Sequence, residues 1–378
     1  MKKIVHIITK LELGGAQDNT ITTCRFLNKE KYKVYLLSGK GGILDNEVKD
    51  LNTIFIKELV REINPFYDFI TLFKIYKILK KISPDIVHTH SSKAGILGRW
   101  ASYFLKISSK KDLKIIHTFH GFGFTPSQGF FIRNFFVFLE KVTGKISDVL
   151  IFVSEENLKK AKKLKIGDFK KYNLIHSGIH LDRFDIEVDV DKKKEEFGIE
   201  KDFFVVGMVA CFKKQKNVLT FIDVAKEIKK EFEKVKFVIV GDGVLRKEIE
   251  KKIKEYSLKD SFILTGWRRD VNEIIKIFDV SVLTSLWEGL PRFIIESFYC
   301  GIPVVASKVD GNIDVVKDGE NGFLIEPFDV NGYREKILYL LRNPDVRKKM
   351  GERGREIVNG DFDIRVMVKR IEDLYDGL

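Results

Sequence analysis

Residues 203–217 read FFVVGMVACFKKQKN, and this stretch shows how the second half of the chain is built. The apolar run FFVVGMVA has the length and composition of a buried strand, and it leads directly into Lys213, Lys214 and Lys216. A strand that is apolar on both faces is typical of a parallel sheet covered by helices. The lysines at its carboxyl end therefore form either a solvated turn or a binding site for an anion.

Short apolar strands alternate with helical segments along the whole chain. The predicted strands are KKIVHIIT, KVYLLSG, DIVHTH, KIIHTFH, VLIFVS and YNLIHSG in the first half, and FFVVGMVAC, KFVIVGDG, SFILTGW, VSVLTS, PVVAS and GFLIE in the second. This alternation predicts an α/β fold with two doubly wound, Rossmann-like domains. The charge-dense stretch DIEVDVDKKKEEFG (185–198) separates the two series and is interpreted as the junction between the domains.

The composition agrees with two folded domains in a reducing compartment. Of the 378 residues, 44% are hydrophobic and 32% are charged, which is enough for two cores and argues against disorder. The three cysteines lack the close spacing of a disulfide frame or a zinc site. The apolar run near residue 1 is too short for a signal sequence, and no run reaches the ~18 residues of a membrane span. We therefore expect a cytoplasmic protein.

The net charge of +13 has several possible explanations. Nucleic acid, an anionic membrane surface and phosphorylated ligands all attract a basic protein, and a lysine-rich genome would give the same composition. The chain lacks a basic helix or an aromatic stacking platform of known type, so we do not expect nucleic acid as a partner. A basic nucleic-acid-binding protein remains the rival interpretation from another functional class.

A glycine pair, Gly14 and Gly15, lies between the first predicted strand and the first helix. Glycines at this position let backbone N–H groups approach a phosphate, and the helix dipole adds positive potential. The pattern is not GxGxxG, so it does not indicate a dinucleotide site. A tight turn with no ligand is the alternative.

Two histidine clusters, His88-Thr89-His90 and His117-Thr118-Phe119-His120, end predicted strands, where ligands bind in such sheets. A histidine there donates to sugar or phosphate oxygens or moves a proton near neutral pH. We do not expect a metal site, because carboxylate or cysteine ligands are not nearby in the sequence. His88 and His117 are alternatively hydrogen-bonded strand residues, whereas His120 precedes the close-approach loop Gly121-Phe122-Gly123.

The stretch SLWEGLPRFIIESFYCGIPVVAS (285–307) carries two glutamates, Glu288 and Glu296. Glu288 lies in the turn after a strand, and Glu296 lies about two turns into the following helix among apolar residues. Pro291 fits the first helical turn, where the next N–H groups, of Arg292, Phe293 and Ile294, face a phosphate. A buried glutamate needs a partner, such as a pair of hydroxyls. A salt bridge with a capping acid is the alternative.

The segment EGLPRFIIESFYCGIPVVAS resembles the signature of the family 4 glycosyltransferases, with the two glutamates of its E-x7-E pattern. The resemblance covers nearly the whole chain and includes, in order, GGAQ, HTHSSKAGILGR, HTFHGFG, SGIHLDRF, GMVACFKKQKN, VGDG, TGWRRD and GENGFLIEP. It implies the GT-B fold, with two Rossmann-like domains facing each other across a cleft. It assigns residues 1–184 to the acceptor domain and 185–360 to the donor domain, with the helix 361–378 packing back on the first.

The resemblance also implies the activity: transfer of a sugar from a nucleotide donor with retention at the anomeric carbon, without a metal or any other cofactor. Glu288 would hold hydroxyls of the donor sugar, Glu296 the ribose, and Lys216 the diphosphate, while His120 would sit beside the sugar. His120, Glu288 and Lys216 are the predicted catalytic residues. The other predicted donor contacts are Gly14, Gly15, Lys213, Lys214, Trp267, Arg268, Gly289, Leu290, Pro291, Arg292 and Phe293. The acceptor-side candidates are His90, Ser91 and Lys93.

Two positions depart from the family pattern. Many relatives have arginine where this chain has Cys211, and a cysteine cannot contact a phosphate in a bidentate manner. Either Lys213 or Lys214 supplies the missing charge, or the diphosphate is held by one cation fewer. His180 stands where aspartate is usual, at a tolerant linker position.

The donor is expected to be a UDP-hexose or a UDP-N-acetylhexosamine, and the acceptor a glycan or a polyprenyl-linked glycan. The segments FYDFITLFKIYKILKK (66–81) and GFFIRNFFVFLEKVTGK (129–145) mix aromatic residues with lysine and arginine, which favours peripheral contact with an anionic membrane at its inner face. Ordinary sheet-covering helices are the alternative. A sugar-nucleotide epimerase or a glycan phosphorylase of the same architecture is the rival enzyme.

Overall fold

The computed structural model describes residues 1–125, 128–358 and 360–378. These residues form two compact units, one made of Met1–Gly178 with Ile364–Leu378 and the other of Ile179–Asp363. Each unit contains one parallel sheet, which confirms the predicted α/β class with two Rossmann-like domains. Among the described residues, no helix has both the length and the apolar character needed to cross a membrane.

The sheet of the first unit has the strand order β3-β2-β1-β4-β5-β6-β7. Its strands are β1 (Lys2–Lys10), β2 (Tyr32–Gly39), β3 (Asn52–Ile56), β4 (Ile86–His90), β5 (Lys114–Phe119), β6 (Val149–Phe152) and β7 (Tyr172–Leu174). Its helices in this part of the chain are α1 (Gly15–Phe26), α2 (Pro65–Ile82), α3 (Ser92–Ser109), α4 (Phe130–Lys145) and α5 (Glu155–Leu164). Strand β3 was not among the predicted strands, because this edge strand is mostly half-buried and lacks a long apolar run.

The sheet of the second unit has the order β10-β9-β8-β11-β12-β13. Its strands are β8 (Phe204–Val209), β9 (Val235–Val240), β10 (Phe262–Gly266), β11 (Val280–Leu283), β12 (Val304–Ser307) and β13 (Gly322–Ile325). Its helices are α6 (Val190–Glu196), α7 (Val218–Lys229), α8 (Arg246–Glu255), α9 (Val271–Ile275), α10 (Arg292–Tyr299), α11 (Asp310–Val315), α12 (Val330–Arg342) and α13 (Pro344–Val358).

The charge-dense segment that was interpreted as a junction contains helix α6. Lys193 of this helix is almost fully buried and lies 2.7 Å from Asp270 and 2.8 Å from both Glu196 and Glu273. Burial of a lysine requires such partners. The segment is therefore packed within the second unit, and its high charge serves an ion-pair network that sequence periodicity does not show.

The last helix, α14 (Ile364–Asp376), belongs to the first unit. Its apolar face, which includes Met367 and Ile371, packs with strand residues such as Ile4 and Ile116 in one hydrophobic cluster. Tyr375 near its end is fully buried. The chain therefore finishes by covering one face of the sheet that it began.

A buried ion pair joins α3 to α4. Arg99 Nη2 lies 2.6 Å from Glu140 Oε2, and both side chains are excluded from solvent. The neighbouring Trp100 donates its indole N–H to the Thr143 hydroxyl at 3.1 Å. Removal of one member of a buried pair leaves the other as an uncompensated charge.

We expect Glu140→Ala to lower the free energy of unfolding of the first unit by about 3–5 kcal/mol, because Arg99 then stays buried without its carboxylate. Hydrogen exchange of α3 and α4 peptides in increasing urea measures this loss. Asp373→Ala is the matched control, since its partner Lys369 lies on the exposed face of α14 and such pairs contribute less than about 1 kcal/mol. Equal effects of the two substitutions would contradict the assignment.

Candidate active site

In the second unit, hydrogen bonds join the turn after β8 to the turn after β11, at the point where the strand order reverses. Thr284 Oγ1 donates to the backbone carbonyls of Lys216 at 3.2 Å and Asn217 at 2.9 Å. Gln215 accepts a backbone hydrogen bond from Leu286 at 2.8 Å and donates its side-chain amide to the Trp287 carbonyl at 2.9 Å. The lysine-rich turn and the glutamate-bearing turn are therefore held as one surface.

Two of the predicted catalytic residues meet on this surface. Lys216 Nζ lies 2.5 Å from Glu288 Oε1, with 19% and 6% of the two side chains exposed. The pair places a fixed cation and a largely buried carboxylate at the carboxyl ends of neighbouring strands, where ligands bind in open α/β sheets. The alternative interpretation of Glu288, a purely structural salt bridge, would show the same contact with Lys216.

Helix α10 begins beside this pair, but the structure corrects the prediction about its first turn. Pro291 is the N-cap and not a residue of the first turn, and the N–H of Ile294 donates to its carbonyl at 3.1 Å. The Ile294 N–H is therefore not free for a phosphate. Glu296 lies in the second turn, and its carboxylate is 3.9 Å from Arg292 Nε.

Helix α11 packs directly against the backbone of Gly289 and Leu290. A Cβ atom added to Gly311 would lie 2.0 Å from the carbonyl oxygen of Gly289, which no side chain could tolerate. The loop that precedes α10 is therefore supported by close backbone packing. Phe293, a further predicted contact, is buried in the apolar face of α10.

The lysines before Lys216 differ in exposure. Lys213 is half-buried and Lys214 is exposed, and neither forms an ion pair with a carboxylate in the described part of the chain. Cys211 has a free thiol, and its carbonyl accepts the N–H of Lys213 at 2.8 Å. Two lysines without a carboxylate partner in the described chain thus lie close in sequence to Cys211, where the family resemblance implies an arginine.

Trp267 and Arg268 follow the edge strand β10. Trp267 is 50% exposed, whereas Arg268 donates to Asp270 at 2.6 and 2.8 Å and to Glu196 at 2.6 Å. The Arg268 guanidinium, together with Lys193, holds the pKa of Asp270 well below its usual range. Arg268 is therefore engaged in the same network as α6, which the sequence did not reveal.

In the first unit, Gly14 and Gly15 form the start of α1 after the central strand β1. A Cβ atom on Gly14 would meet only the end of the flexible Gln17 side chain, at 2.7 Å. The local fold therefore does not require glycine at position 14, which leaves access to the backbone N–H groups as a reason for its presence.

The three acceptor-side candidates each have partners within the first unit. His90 is only 3% exposed. Ser91 Oγ lies 2.7 Å from the hydroxyl of Thr9, and Lys93 lies 2.6 Å from Asp68 Oδ1. These contacts position the start of α3, and of the three side chains His90 is the least able to reach an acceptor.

The histidine clusters come together in the interior of this unit with a histidine that the sequence analysis did not single out, His6. His6 Nδ1 lies 3.0 Å from His90 Nε2, and His90 Nδ1 lies 3.1 Å from His120 Nε2. His88 and His117 bond instead to Thr118 and Thr89 at 2.7 and 2.9 Å. A histidine in the middle of an apolar strand, as in KKIVHIIT, was the available signal for His6.

Burial keeps these imidazoles neutral. It lowers the pKa of His6 to about 3 and that of His120 to about 4, and the pKa values of His88, His90 and His117 also fall well below the usual range. One nitrogen from each of His6, His88 and His90 lies close enough to the others to share a metal ion. Hydrogen bonds already account for these nitrogens.

Two doubly wound parallel sheets, each with polar side chains at the reversal of its strand order, are the architecture of the GT-B fold class, which many glycosyltransferases share. Residues 13–183 match the model of Glycosyltransferase Family 4, and residues 189–357 match that of Glycosyl transferases group 1. The chain belongs to family 4 of the glycosyltransferases.

Known relatives and structures agree with this membership. The chain is 33% identical over 378 residues to the UDP-Gal:alpha-D-GlcNAc-diphosphoundecaprenol alpha-1,3-galactosyltransferase of Escherichia coli, covering 99% of this chain and 96% of the relative. It is 27% identical over 316 residues to the N-acetyl-alpha-D-glucosaminyl L-malate synthase of Bacillus anthracis, covering 82% and 79%. The crystal structure of Anabaena HepE with UDP and glucose superposes with a TM-score of 0.85 at 18% identity and full coverage of both chains.

The buried histidines predict a first unit that is sensitive to acid. Their folded-state pKa values lie below the unfolded value of about 6.5, so the unfolded chain binds more protons and stability falls as the pH drops below that value. Each histidine adds a slope of at most about 1.4 kcal/mol per pH unit. Hydrogen exchange between pH 7 and 5, corrected for intrinsic rates, measures the effect.

The second unit serves as the internal control for this experiment, because its single histidine, His180, is half-buried at the start of a short turn and lies outside the histidine clusters. We expect the protection of β1, β4 and β5 to fall by several kcal/mol relative to that of β8 and β11. Parallel loss in both units would show that the histidines do not set the acid sensitivity.

Proposed function

We propose that this glycosyltransferase transfers a hexosyl or N-acetylhexosaminyl group from a UDP donor to a lipid-linked glycan, with retention and without a metal, in the assembly of a surface polysaccharide. The observation that carries the proposal is the contact between Lys216 and Glu288 at the reversal of the second sheet. The relative that acts on UDP-Gal and a diphosphoundecaprenol-linked GlcNAc supports this choice of donor and acceptor.

The chemistry explains why a cation and a carboxylate are needed together. Cleavage of the bond between the sugar and the diphosphate leaves negative charge on the departing oxygen and positive charge on the sugar. Lys216 supplies fixed positive charge to the departing oxygen, in place of a metal ion, and Lys213 and Lys214 lie nearby in the chain. Glu288 accepts hydrogen bonds from sugar hydroxyls and orients the ring.

Retention in this proposal follows from substitution on one face of the sugar. A double displacement needs a carboxylate free to attack the anomeric carbon. Glu288 is tied to Lys216 and mostly buried, a setting that suits binding better than nucleophilic attack. In the proposed step, the acceptor hydroxyl forms its bond to the anomeric carbon on the face from which the diphosphate leaves, and its proton passes to the departing phosphate oxygen.

The remaining donor contacts are assigned as the family resemblance implies. Glu296 binds the ribose hydroxyls, and Trp267 stacks beside the base. The N–H groups of Gly14 and Gly15 bind the diphosphate, and His120 contacts the sugar. The partial opening of the Lys216–Glu288 pair, on this proposal, accompanies donor binding.

A second part of the proposal concerns the location at the inner face of the cell membrane. Helix α4 exposes Phe130, Phe131, Phe135 and Phe138, each more than half accessible to solvent, with the exposed cation Arg133 among them. Exposed aromatic residues next to basic residues are typical of a helix that lies in the headgroup region of an anionic bilayer. A polyprenyl-linked acceptor would be reached there.

We expect Glu288→Gln to reduce kcat at least about hundredfold while the fold is kept, because the variant loses charge at a site that acts on the transition state. Sugar transfer from UDP-sugars to a lipid-linked acceptor measures this. The double variant Lys216→Met/Glu288→Gln removes the pair without leaving a lone charge, so it should regain stability but not activity.

Asp223→Asn is the matched control, since Asp223 forms a half-buried pair with Lys252 in the same unit at 2.7 Å. We expect it to keep near wild-type turnover. Recovery of activity in the double variant would show that the Lys216–Glu288 pair has only a structural role.

The two rival functions have their own tests. A new hexosamine epimer formed from UDP-N-acetylglucosamine alone would favour an epimerase. Salt-sensitive RNA binding that survives Glu288→Ala would favour a nucleic-acid-binding protein.

The cysteine at position 211 gives a separate prediction about donor affinity. If Lys213 supplies the charge that arginine gives in relatives, Lys213→Ala weakens UDP binding by about three- to tenfold, and Cys211→Arg in the same background restores it. Calorimetric titration with UDP measures both. Lys214→Ala is the control, and unchanged affinity in all variants would show that the diphosphate is held by one cation fewer.

The membrane proposal predicts that Phe131→Ser/Phe135→Ser lowers binding to phosphatidylglycerol vesicles at least about tenfold, because two aromatic side chains no longer enter the bilayer. Vesicle flotation measures this, with turnover of a soluble acceptor unchanged. Phe328→Ser, at an equally exposed phenylalanine of the second unit, should have no effect. Flotation that is insensitive to the α4 substitutions would place the contact elsewhere.

A further inference from the structure

A chain of hydrogen bonds links His120 to the C-terminal helix. His120 Nε2 lies 3.1 Å from His90 Nδ1, and His90 Nε2 lies 3.0 Å from His6 Nδ1. His6 Nε2 in turn lies 3.4 Å from the hydroxyl of Tyr375 on α14. We call this set, with its continuation below, the histidine chain.

The histidine chain continues from Tyr375 to a second strand. The Tyr375 hydroxyl lies 2.5 Å from His88 Nδ1, and His88 Nε2 lies 2.7 Å from the hydroxyl of Thr118. His6, His88 and Tyr375 are fully buried, and Thr118 is 5% exposed. Water is thus excluded from most of the chain, and its members depend on one another for hydrogen bonds.

The protons of the histidine chain must all point the same way. Burial lowers the pKa values of its imidazoles and raises that of the Tyr375 hydroxyl, so every group is neutral at pH 7. A neutral imidazole has one donor nitrogen and one acceptor nitrogen. Each ring that accepts on one side therefore donates on the other, and one end of the chain sets the direction for the rest.

The Thr118 hydroxyl selects the direction. Among the described residues, its recorded partner is His88 Nε2. If it accepted a proton from His88, two groups would be buried without partners, the Thr118 proton and the lone pair of His120 Nδ1, whereas the opposite direction leaves only the N–H of His120 unpartnered. Thr118 therefore donates to His88, whose proton then lies on Nδ1 and points to Tyr375.

If every hydrogen bond of the histidine chain runs in this direction, a proton lies on Nδ1 of His120 at the other end. The Tyr375 hydroxyl donates to His6, His6 Nδ1 donates to His90, and His90 Nδ1 donates to His120 Nε2. His120 Nδ1 is buried and lacks a hydrogen-bond partner within the described chain. The chain thus ends in an N–H donor without an acceptor.

A second observation at the same place indicates a missing polar ligand. His120 and Asn19 both line a cavity of about 20 Å³, which has room for a single oxygen atom. Asn19 is 3% exposed, and both polar atoms of its side chain also lack partners among the described residues. Unsatisfied buried polar groups of this kind are rare unless a ligand or water completes them.

We propose that Tyr375 and Thr118 are positioning residues, which hold His120 as the Nδ1–H tautomer so that it donates a hydrogen bond to a hydroxyl oxygen of the donor sugar. The sugar contact rests on the proposed function, whereas the tautomer does not. His120 is then a fixed donor and not a general base. Its dipole stabilises the oxygen that it contacts without moving a proton.

Nitrogen NMR of protein labelled with ¹⁵N-histidine tests the tautomer directly. We expect a protonated Nδ1 and an unprotonated Nε2 at His120, with the Nδ1 signal shifting when a saturating UDP-sugar is bound. A protonated Nε2, an exchange average, or metal-coordinated nitrogens at His6, His88 or His90 would overturn the proposal. An unshifted signal in the donor-saturated protein would overturn the sugar contact.

Tyr375→Phe removes only the hydroxyl that connects His88 to His6. We expect mixed His120 tautomers and a kcat lowered about tenfold, with the donor KM changed less than about twofold. Thr118→Val should act in the same direction. A Tyr375→Phe variant that keeps the wild-type tautomer would overturn the inference.

Tyr32→Phe is the matched control, because the Tyr32 hydroxyl bonds to Asp376 on the same helix but not to the histidine chain. We expect wild-type tautomers and kcat from it. Equal losses of kcat in the Tyr32 and Tyr375 variants would show that both act only by weakening the packing of α14, and would overturn the inference. If the wild-type protein transfers no sugar, the proposed function fails, while the NMR result still decides the tautomer.

Discussion

The reversal of strand order in each sheet is the constraint on which the rest of the structure depends. It falls between β1 and β4 in the first unit and between β8 and β11 in the second. Ligands bind at such a reversal, just beyond the carboxyl ends of the two strands. Gly14 follows β1 and His90 ends β4 in the first unit, and Lys216 and Glu288 follow β8 and β11 in the second. Topology thus brings together side chains that local sequence keeps apart.

Periodicity was sufficient to predict this architecture, because alternation of apolar strands and helices is a local property. It was also sufficient to place Lys216 and Glu288 at strand ends. It could not show that they touch, since they are 72 residues apart and their contact depends on the register of the two fastened turns. The ion pairs of Arg268 could not be predicted for the same reason, because Glu196, one of the carboxylates that hold it, lies 72 residues away in a segment interpreted as a junction.

The interior of the first unit was the least predictable part. His6 and Tyr375 are 369 residues apart, and neither belongs to a motif that the sequence analysis used. A polar residue within an apolar strand indicates that a partner exists, but it does not say which one. The partner is supplied by α14, whose periodicity shows an apolar face and gives no sign that one of its tyrosines bonds to histidines.

The two units solve the burial of polar groups differently, and the difference has a functional consequence. In the second unit, Lys216 and Glu288 form an ion pair in which the lysine stays partly accessible, which suits binding of an anion. In the first unit, the histidines give up their charge, so burial costs little once each nitrogen has a partner. A chain of neutral imidazoles and hydroxyls can run in either of two directions, whereas the charges of an ion pair fix which group donates. Tyr375 can therefore influence His120 through the orientation of protons, without any movement of the sheet between them.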